Sequence, residues 1–417
     1  MNNLIKKRID FSAIAICYYL VMICINSNVR VFIPDSLWFV VNLGFYALVI
    51  VSARNIFKSI NRNHIVFLLI LFLSLFASFL LANDYEIHSL FLNFFIRWGL
   101  PLFFLGASIS NYEQFFSKLK KTCYALCLLS VLGIFVFKTN GSIIYSYSQD
   151  TGYQVLIPFS VFFADFLIHK KRLSLLWSIV AVVIMLIGGA RGPLLSFALC
   201  FLIELLFLQK ITTKKIVIGC SLVICAFLLY YILFNLLINE ISNLFEAIGL
   251  STRILDGIKT GTIYADDSRK QLSDYSINYA NTHWFVGSGI LNDRTLLYNE
   301  LTVDTNKTLF GQYSHNIFLE LLVQYGMLLG LFLSFITIYI LFRVMMFKEK
   351  EDTKIILFVF LSIGFLPLLV SYSYLTYQYF YLFIGAMLST VFSLRKKKIT
   401  RQLRFVEIKK NMEKCYG

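Results

Sequence analysis

Residues 64–82 read HIVFLLILFLSLFASFLLA, nineteen positions without one Asp, Glu, Lys or Arg. At the rise of an α-helix such a run is roughly 28 Å long, close to the hydrocarbon thickness of a bilayer. Arg54, Lys58 and Arg62 precede it, and a polar turn at Asn83-Asp84 follows it. A helix hydrophobic on every face has no place on the surface of a soluble domain. The rest of the chain repeats the pattern. Hydrophobic residues make up 58% of the 417 positions and charged residues 15%, and mean hydropathy is +0.74. That leaves too little polar surface for a soluble protein of this length.

Reading outward from 64–82 places spans at 10–27, 36–53, 88–107, 122–138, 153–168, 173–188, 192–208, 215–238, 315–342, 354–371 and 374–393. The expected fold is an all-α integral membrane protein, a bundle of about twelve transmembrane helices. The net charge of +15 does not point to nucleic acid, because the cations cluster between alternate apolar runs. One side collects Arg54, Lys58, Arg62, Lys118, Lys120, Lys121, Lys170, Lys171, Arg172, Lys210, Lys214, Lys215, Arg343, Lys348, Lys350 and Lys354, and the tail from Arg395 through Lys398 joins them. The short loops of the other side carry Arg30, Lys138 and Arg191. This asymmetry predicts cytoplasmic N- and C-termini in an inner or plasma membrane. Lys6-Lys7-Arg8 before the first run also suits a signal peptide, but no small-residue cleavage site follows, so a retained first helix is expected. Seven of the eight cysteines lie in apolar runs and Cys415 in the tail, so no structural disulfide is expected.

Residues 239–314 break the rhythm. This polar stretch is too long for a connector and falls on the outer face. Ile241, Leu244, Phe245, Ile248, Ile254, Leu255 and Ile258 recur at helical spacing, which suits a helix lying on the membrane or capping the bundle. Asp266 to Tyr279 reads as a second short helix. The expected organisation is a bundle over 1–238, a large loop over 239–314, further membrane helices over 315–393 and a basic cytoplasmic tail over 394–417.

Four basic side chains stand where chemistry could use them. Arg191 sits in a Gly-rich hairpin turn on the outer side, where its planar fork suits phosphate; an arginine reaching for lipid headgroups fits the same place. Arg253 belongs to Ser251-Thr252-Arg253 in the loop, where a solvated arginine fits equally. His315 follows Ser314, a candidate N-cap, so the ring is expected in the first helical turn. Imidazolium is disfavoured there, as a general base requires, although an interfacial capping histidine is the simpler reading. Arg97 lies mid-span in Ile96-Arg97-Trp98-Gly99, a costly depth that demands a cavity, a phosphate or a buried carboxylate partner. Glu320 could pair with His315 or with Arg97. The acids Asp266, Asp267, Asp274, Asp293, Glu300 and Asp304 crowd the loop, and the Asp266-Asp267 pair reads as a solvated turn more readily than as a metal site. The loop tyrosines Tyr264, Tyr275, Tyr279, Tyr298 and Tyr313 suit sugar stacking or plain membrane-interface packing.

In order along the chain these segments resemble the bacterial O-antigen polymerase and O-antigen ligase family. Gly189-Ala190-Arg191-Gly192 is similar to its small-residue-Arg-Gly turn, with Ala190 where many members have Ser or Thr. Ser251-Thr252-Arg253 resembles the Arg motif of its large loop. Phe285-Val286-Gly287-Ser288-Gly289 resembles its Gly-x-Gly segment. Ser314-His315-Asn316-Ile317-Phe318-Leu319-Glu320, followed by Tyr325-Gly326, resembles its most specific signature. The resemblance implies a glycosyltransferase of the outer face of a bacterial cytoplasmic membrane. Its donor and acceptor would be oligosaccharides linked through pyrophosphate to undecaprenol. His315 would activate the acceptor hydroxyl, and Arg191 and Arg253 would bind pyrophosphate; Arg97 lies outside these motifs and is a pyrophosphate-binding candidate from its depth alone. Asn316, Glu320, Gly192, Gly287 and Gly289 would support the site. Neither a metal nor another cofactor is implied. Membrane lipids, a chain-length regulator and a flippase are the implied partners, and nucleic acid is not. A lipid-linked oligosaccharide transporter is the alternative of another class, with Arg97 its best candidate residue.

Overall fold

The computed structural model describes residues 10–82, 85–139, 149–187, 191–208, 240, 242–244, 259, 267–300, 313–347 and 351–391. Every regular element among them is helical. In chain order they are α1 (Phe11–Asn28), α2 (Asp35–Ser59), α3 (Arg62–Ala82), α4 (Tyr85–Phe94), a π-helical turn (Phe95–Gly99), α5 (Leu100–Ala107), α6 (Tyr112–Thr139), α7 (Gln149–His169), α8 (Arg172–Ile187) and α9 (Arg191–Phe207). Then follow α10 (Asp267–Thr282), α11 (Asn292–Glu300), α12 (Ile317–Tyr325), α13 (Met327–Met345), α14 (Glu351–Gly364), a 3-10 turn (Leu366–Leu369) and α15 (Gln378–Thr390).

Among the described residues seven helical runs are long and apolar enough to cross a membrane: Phe11–Asn28, Asp35–Ser59, Arg62–Leu80, Tyr85–Ala107, Gln149–His169, Met327–Met345 and Glu351–Leu369. α8 and α9 have 16 and 17 residues, near the lower limit for a crossing. The expected span at 215–238, the amphipathic stretch at 241–258 and the basic tail lie largely or wholly outside the described residues. The expected helix from Asp266 to Tyr279 is present as α10.

One expected span is not continuous. The run 315–342 divides into α12 and α13 at Gly326, whose φ is +80°. Glycine enters that region without the Cβ clash that other residues meet. The break frees N–H groups at the start of α13, and the backbone of the preceding loop takes them: Met327 donates to His283 at 3.0 Å and Leu328 to Trp284 at 3.0 Å. α12, nine residues long, is therefore a short helix beside the bundle and does not span it.

α7 and α14 form the centre, since almost all their side chains are buried. α2, α3 and α13 are peripheral and show large apolar groups such as Phe39, Ile50, Phe57, Leu73, Phe76 and Phe335 on their outward faces. In water such a surface would aggregate; in lipid it is the expected exterior. Polar side chains stitch the interior. Thr151 of α7 donates to Asn28 of α1 at 3.1 Å, and Gln154 of α7 donates to the Ile23 carbonyl at 3.2 Å. The five described cysteines, Cys17, Cys24, Cys123, Cys127 and Cys200, are free and buried.

Candidate active site

Asn316, not Ser314, caps α12. Its side-chain oxygen accepts from Phe318 N–H at 2.9 Å and Leu319 N–H at 3.4 Å, while its amide donates to the Leu369 carbonyl at 3.1 Å. Ser314 instead meets Ser276 of α10 at 2.9 Å. His315 is thus displaced from the expected first turn to the position just before the cap, with φ at +52°. A non-glycine residue held there stores strain, a feature that clusters at functional sites. Its Nδ1 lies 2.9 Å from the Ser371 carbonyl oxygen. A carbonyl oxygen can only accept, so this contact assigns the proton to Nδ1 and the lone pair to Nε2.

The Ser371 backbone is the hub of the site. Its carbonyl also accepts from the Tyr313 hydroxyl at 2.9 Å, and the Tyr313 ring lies 4.3 Å from that of His315. Arg269 of α10 donates to the neighbouring Val370 carbonyl at 3.2 Å. Gly192 reaches the same loop: a Cβ added there would stand 2.4 Å from Ser371 Oγ and 2.6 Å from Tyr153 Oη. Only a residue without a side chain lets α9 start so close. Arg191, the first residue of α9, is in this way brought to the loop that holds His315.

A buried charge cluster stands behind Tyr313. Arg294, fully buried in α11, donates to Ser373 Oγ at 2.8 Å and lies 3.8 Å from Glu320 Oε1. Its guanidinium carbon sits 5.1 Å over the Tyr313 ring, a cation–π contact. Glu320 accepts from Ser373, and Gln324 donates to both Glu320 at 3.3 Å and Asp293 at 3.0 Å. Tyr374 donates to Gln324. Glu320 therefore serves Arg294, and neither His315 nor Arg97 has it as a partner. Asp293, one of the acids of the polar stretch, is fully buried. Burial is the main cause that raises the Glu320 carboxyl to about 8, with Asp293 adding and Arg294 opposing. Burial likewise raises Asp293, to about 6, against the pull of Arg294. Burial thus favours the neutral form of both acids, and the Arg294 guanidinium favours the charged form of each.

The other expected residues are dispersed. Gly287 and Gly289 are scaffold: Ser288 and Gly289 N–H groups donate to the Val323 and Gln324 carbonyls at 2.9 Å each, so this turn braces the end of α12. Arg97 lies in the π-helical turn on the wall of a separate cavity. Arg253, Gly189, Ala190, Asp266 and Asp304 lie outside the described residues. Among the described residues no group of His, Cys, Asp and Glu is arranged to hold a metal.

Three parts of the site escape a linear reading: Arg269, Arg294 and the loop Ser371-Tyr372-Ser373-Tyr374. The loop's alternation of serine and tyrosine between two apolar spans is the one signal that marks it beforehand.

Residues 173–334 match the sequence model of a family described as O-antigen ligase, the family that the motifs resemble. The match takes in Arg191, Arg253, Arg294, His315 and Glu320, and leaves out Arg97 and Ser371. No curated protein matches the chain. Together with the apolar helices, this match supports a bacterial inner-membrane protein of polysaccharide biosynthesis, a family whose substrates are lipid-linked oligosaccharides.

Proposed function

We propose that the protein is a polysaccharide polymerase that joins undecaprenyl-pyrophosphate-linked repeat units on the outer face of the cytoplasmic membrane. The observation that carries this reading is the His315 Nδ1 contact to the Ser371 carbonyl, 2.9 Å long, which leaves Nε2 as a base beside the start of α9. In the reaction an acceptor hydroxyl oxygen attacks the anomeric carbon of the donor and its proton passes to Nε2. The bond from that carbon to the pyrophosphate oxygen breaks, and the electron pair leaves with the pyrophosphate. Arg191 and Arg253 offset the charge that builds on the leaving group. Arg269 adds positive charge near the same loop. This is a GT-C-like, metal-independent transfer in which the arginines carry the electrostatic work. Direct displacement inverts the anomeric centre, so an α-linked donor gives a β-linkage, and an NMR spectrum showing retention refutes the single displacement.

The family description, O-antigen ligase, favours a second reading with the same residues and a different acceptor, the lipid A core. Complementation of a deletion strain with His315→Ala, Arg191→Ala and Arg253→Ala separates the cases, with glycan length read on a gel and protein level on a blot. A polymerase predicts stably inserted variants that yield single capped units. A ligase predicts accumulation of free lipid-linked polymer. If His315→Ala still builds long chains, the general-base role is wrong and a transporter becomes the better reading.

A further inference from the structure

A second cavity, about 600 Å³ in volume, opens between α1, α2, α4 and the start of α15. Its size lies within the roughly 300–1,000 Å³ of small-molecule sites, but its wall is unlike a lipid-facing groove. Arg97, Trp98, Trp38, Tyr46, Asn42 and Gln378 all line it.

The backbone explains why Arg97 points there. Pro101 has no N–H, so the Arg97 carbonyl loses its ordinary helical donor. The helix answers with a π-helical turn at Phe95–Gly99, and the Tyr46 hydroxyl donates to the released carbonyl at 3.3 Å. Such π-helical insertions concentrate at functional sites. Among the described residues no carboxylate stands within ion-pair distance of the Arg97 guanidinium. An exposed arginine this far along an apolar span is costly unless water or an anion meets it. A second cation stands near the wall: Arg30 is paired with Asp35 and lies 5.2 Å over the Trp38 ring.

The cavity and the His315 site share one end of the bundle. Gln378 directly follows the Ser371–Tyr377 loop, and an unbroken layer of rings joins the two places. Tyr153 meets Tyr372 at 4.9 Å, Tyr372 stacks on Tyr377 at 4.4 Å, Tyr377 meets Tyr379 at 5.4 Å, and Tyr379 meets Tyr19 at 6.2 Å on the cavity wall. The sites are therefore neighbours kept apart by packed aromatic side chains.

A reaction between two lipid-linked saccharides needs that separation. The donor's pyrophosphate is bonded to the carbon under attack and must lie at His315. The acceptor's pyrophosphate is at the far end of its oligosaccharide and must lie elsewhere. We infer that the cavity walled by Arg97, Trp38 and Trp98 binds the pyrophosphate headgroup of the lipid-linked acceptor, apart from the donor site at Arg191 and His315. The inference rests on the transferase reading and deepens it. Arg97 supplies the charge, the tryptophan faces suit the first sugar, and Asn42 and Gln378 offer hydrogen bonds.

The test uses the full chain in phosphatidylcholine nanodiscs and its tryptophan emission, to which Trp38 and Trp98 contribute two of the four indoles. Titration with undecaprenyl pyrophosphate is expected to change the emission saturably. Arg97→Gln should weaken that response at least tenfold, and Asn42→Leu, which removes a polar group from the wall and keeps Arg97, should weaken it as well with an unchanged thermal midpoint. Arg191→Gln should leave the response in place. Superimposable curves for the wild type and both cavity variants overturn the inference. So does an equal, Arg97-dependent response to phosphatidylglycerol, which would make the site a general lipid-phosphate site. If binding requires Arg97 yet His315→Ala still polymerises, the cavity stands and the catalytic reading falls. If His315→Ala abolishes polymer while Arg97→Gln alters neither binding nor chain length, the reverse holds.

Discussion

Replacing Arg294 by methionine keeps most of the side-chain volume and removes a buried charge. The guanidinium lies 3.8 Å from Glu320 Oε1. Two full charges at that distance attract by about 4 kcal/mol at an effective dielectric of 20. Removing one partner of such a pair typically costs about 3–5 kcal/mol, because the other charge stays buried. Burial is the main cause that raises the Glu320 carboxyl to about 8, with Arg294 opposing, so through Glu320 the loss of Arg294 is felt only as pH rises past that value. Arg294→Met should therefore be mildly destabilised at pH 6, where the acids can take up protons, and severely destabilised near pH 8.5. Glu320→Gln added to Arg294→Met should restore much of the loss at high pH, since an amide cannot ionise. The loss of the contact over the Tyr313 ring, 5.1 Å away, remains in the double variant and should still reduce polymer length through His315. The assay is the thermal midpoint of detergent-solubilised protein at both pH values, with the glycan ladder read in parallel. A midpoint of Arg294→Met that matches wild type at pH 8.5, or no rescue by Glu320→Gln, refutes the charge-balance reasoning.

Gly192→Ala places a methyl group 2.4 Å from Ser371 Oγ; it should shift the loop that orients His315 and cut transfer activity about ten- to a hundredfold with small loss of protein on a blot. Asn316→Ala removes the cap of α12 and its tie to Leu369 and should lower stability by about 1–2 kcal/mol, seen as a lower thermal midpoint. Gly326→Ala forces a side chain into φ +80° beside the His283 carbonyl, 2.9 Å away, and should cost at least about 1 kcal/mol, read the same way. For wild-type protein the raised Glu320 carboxyl means that the folded state binds the extra proton. Its contribution is full below the unfolded value near 4.5 and is lost as pH rises through about 8. The midpoint should fall over that window, and Glu320→Gln should flatten the fall.

Much of this protein is legible in the linear chain, for a local reason. Apolar runs such as 64–82 have the length of a bilayer whatever surrounds them, and α3 forms there. His315 and Asn316 belong to a short contiguous signature, so they stand out as candidates without a fold. The break at Gly326 also has a local signal, a glycine in a helical run, but its weight does not. It matters because the 283–289 loop supplies replacement hydrogen-bond acceptors, and that is a tertiary fact.

The amino-acid sequence alone determined that this is a helical membrane protein and which segment matches a known family, because hydropathy and contiguous motifs are properties of neighbours along the chain. Only the tertiary structure decided what each polar side chain does. Asp293 and Arg294 look like ordinary loop residues until packing buries them against Glu320. The tautomer of His315 depends on a carbonyl 56 residues away. Arg97 has the same composition around it whether it pairs with an acid or walls a cavity, and the turn made by Pro101 and Tyr46 sets the outcome. Burial and partner choice come from packing between distant segments, and packing has no signature within any one of them.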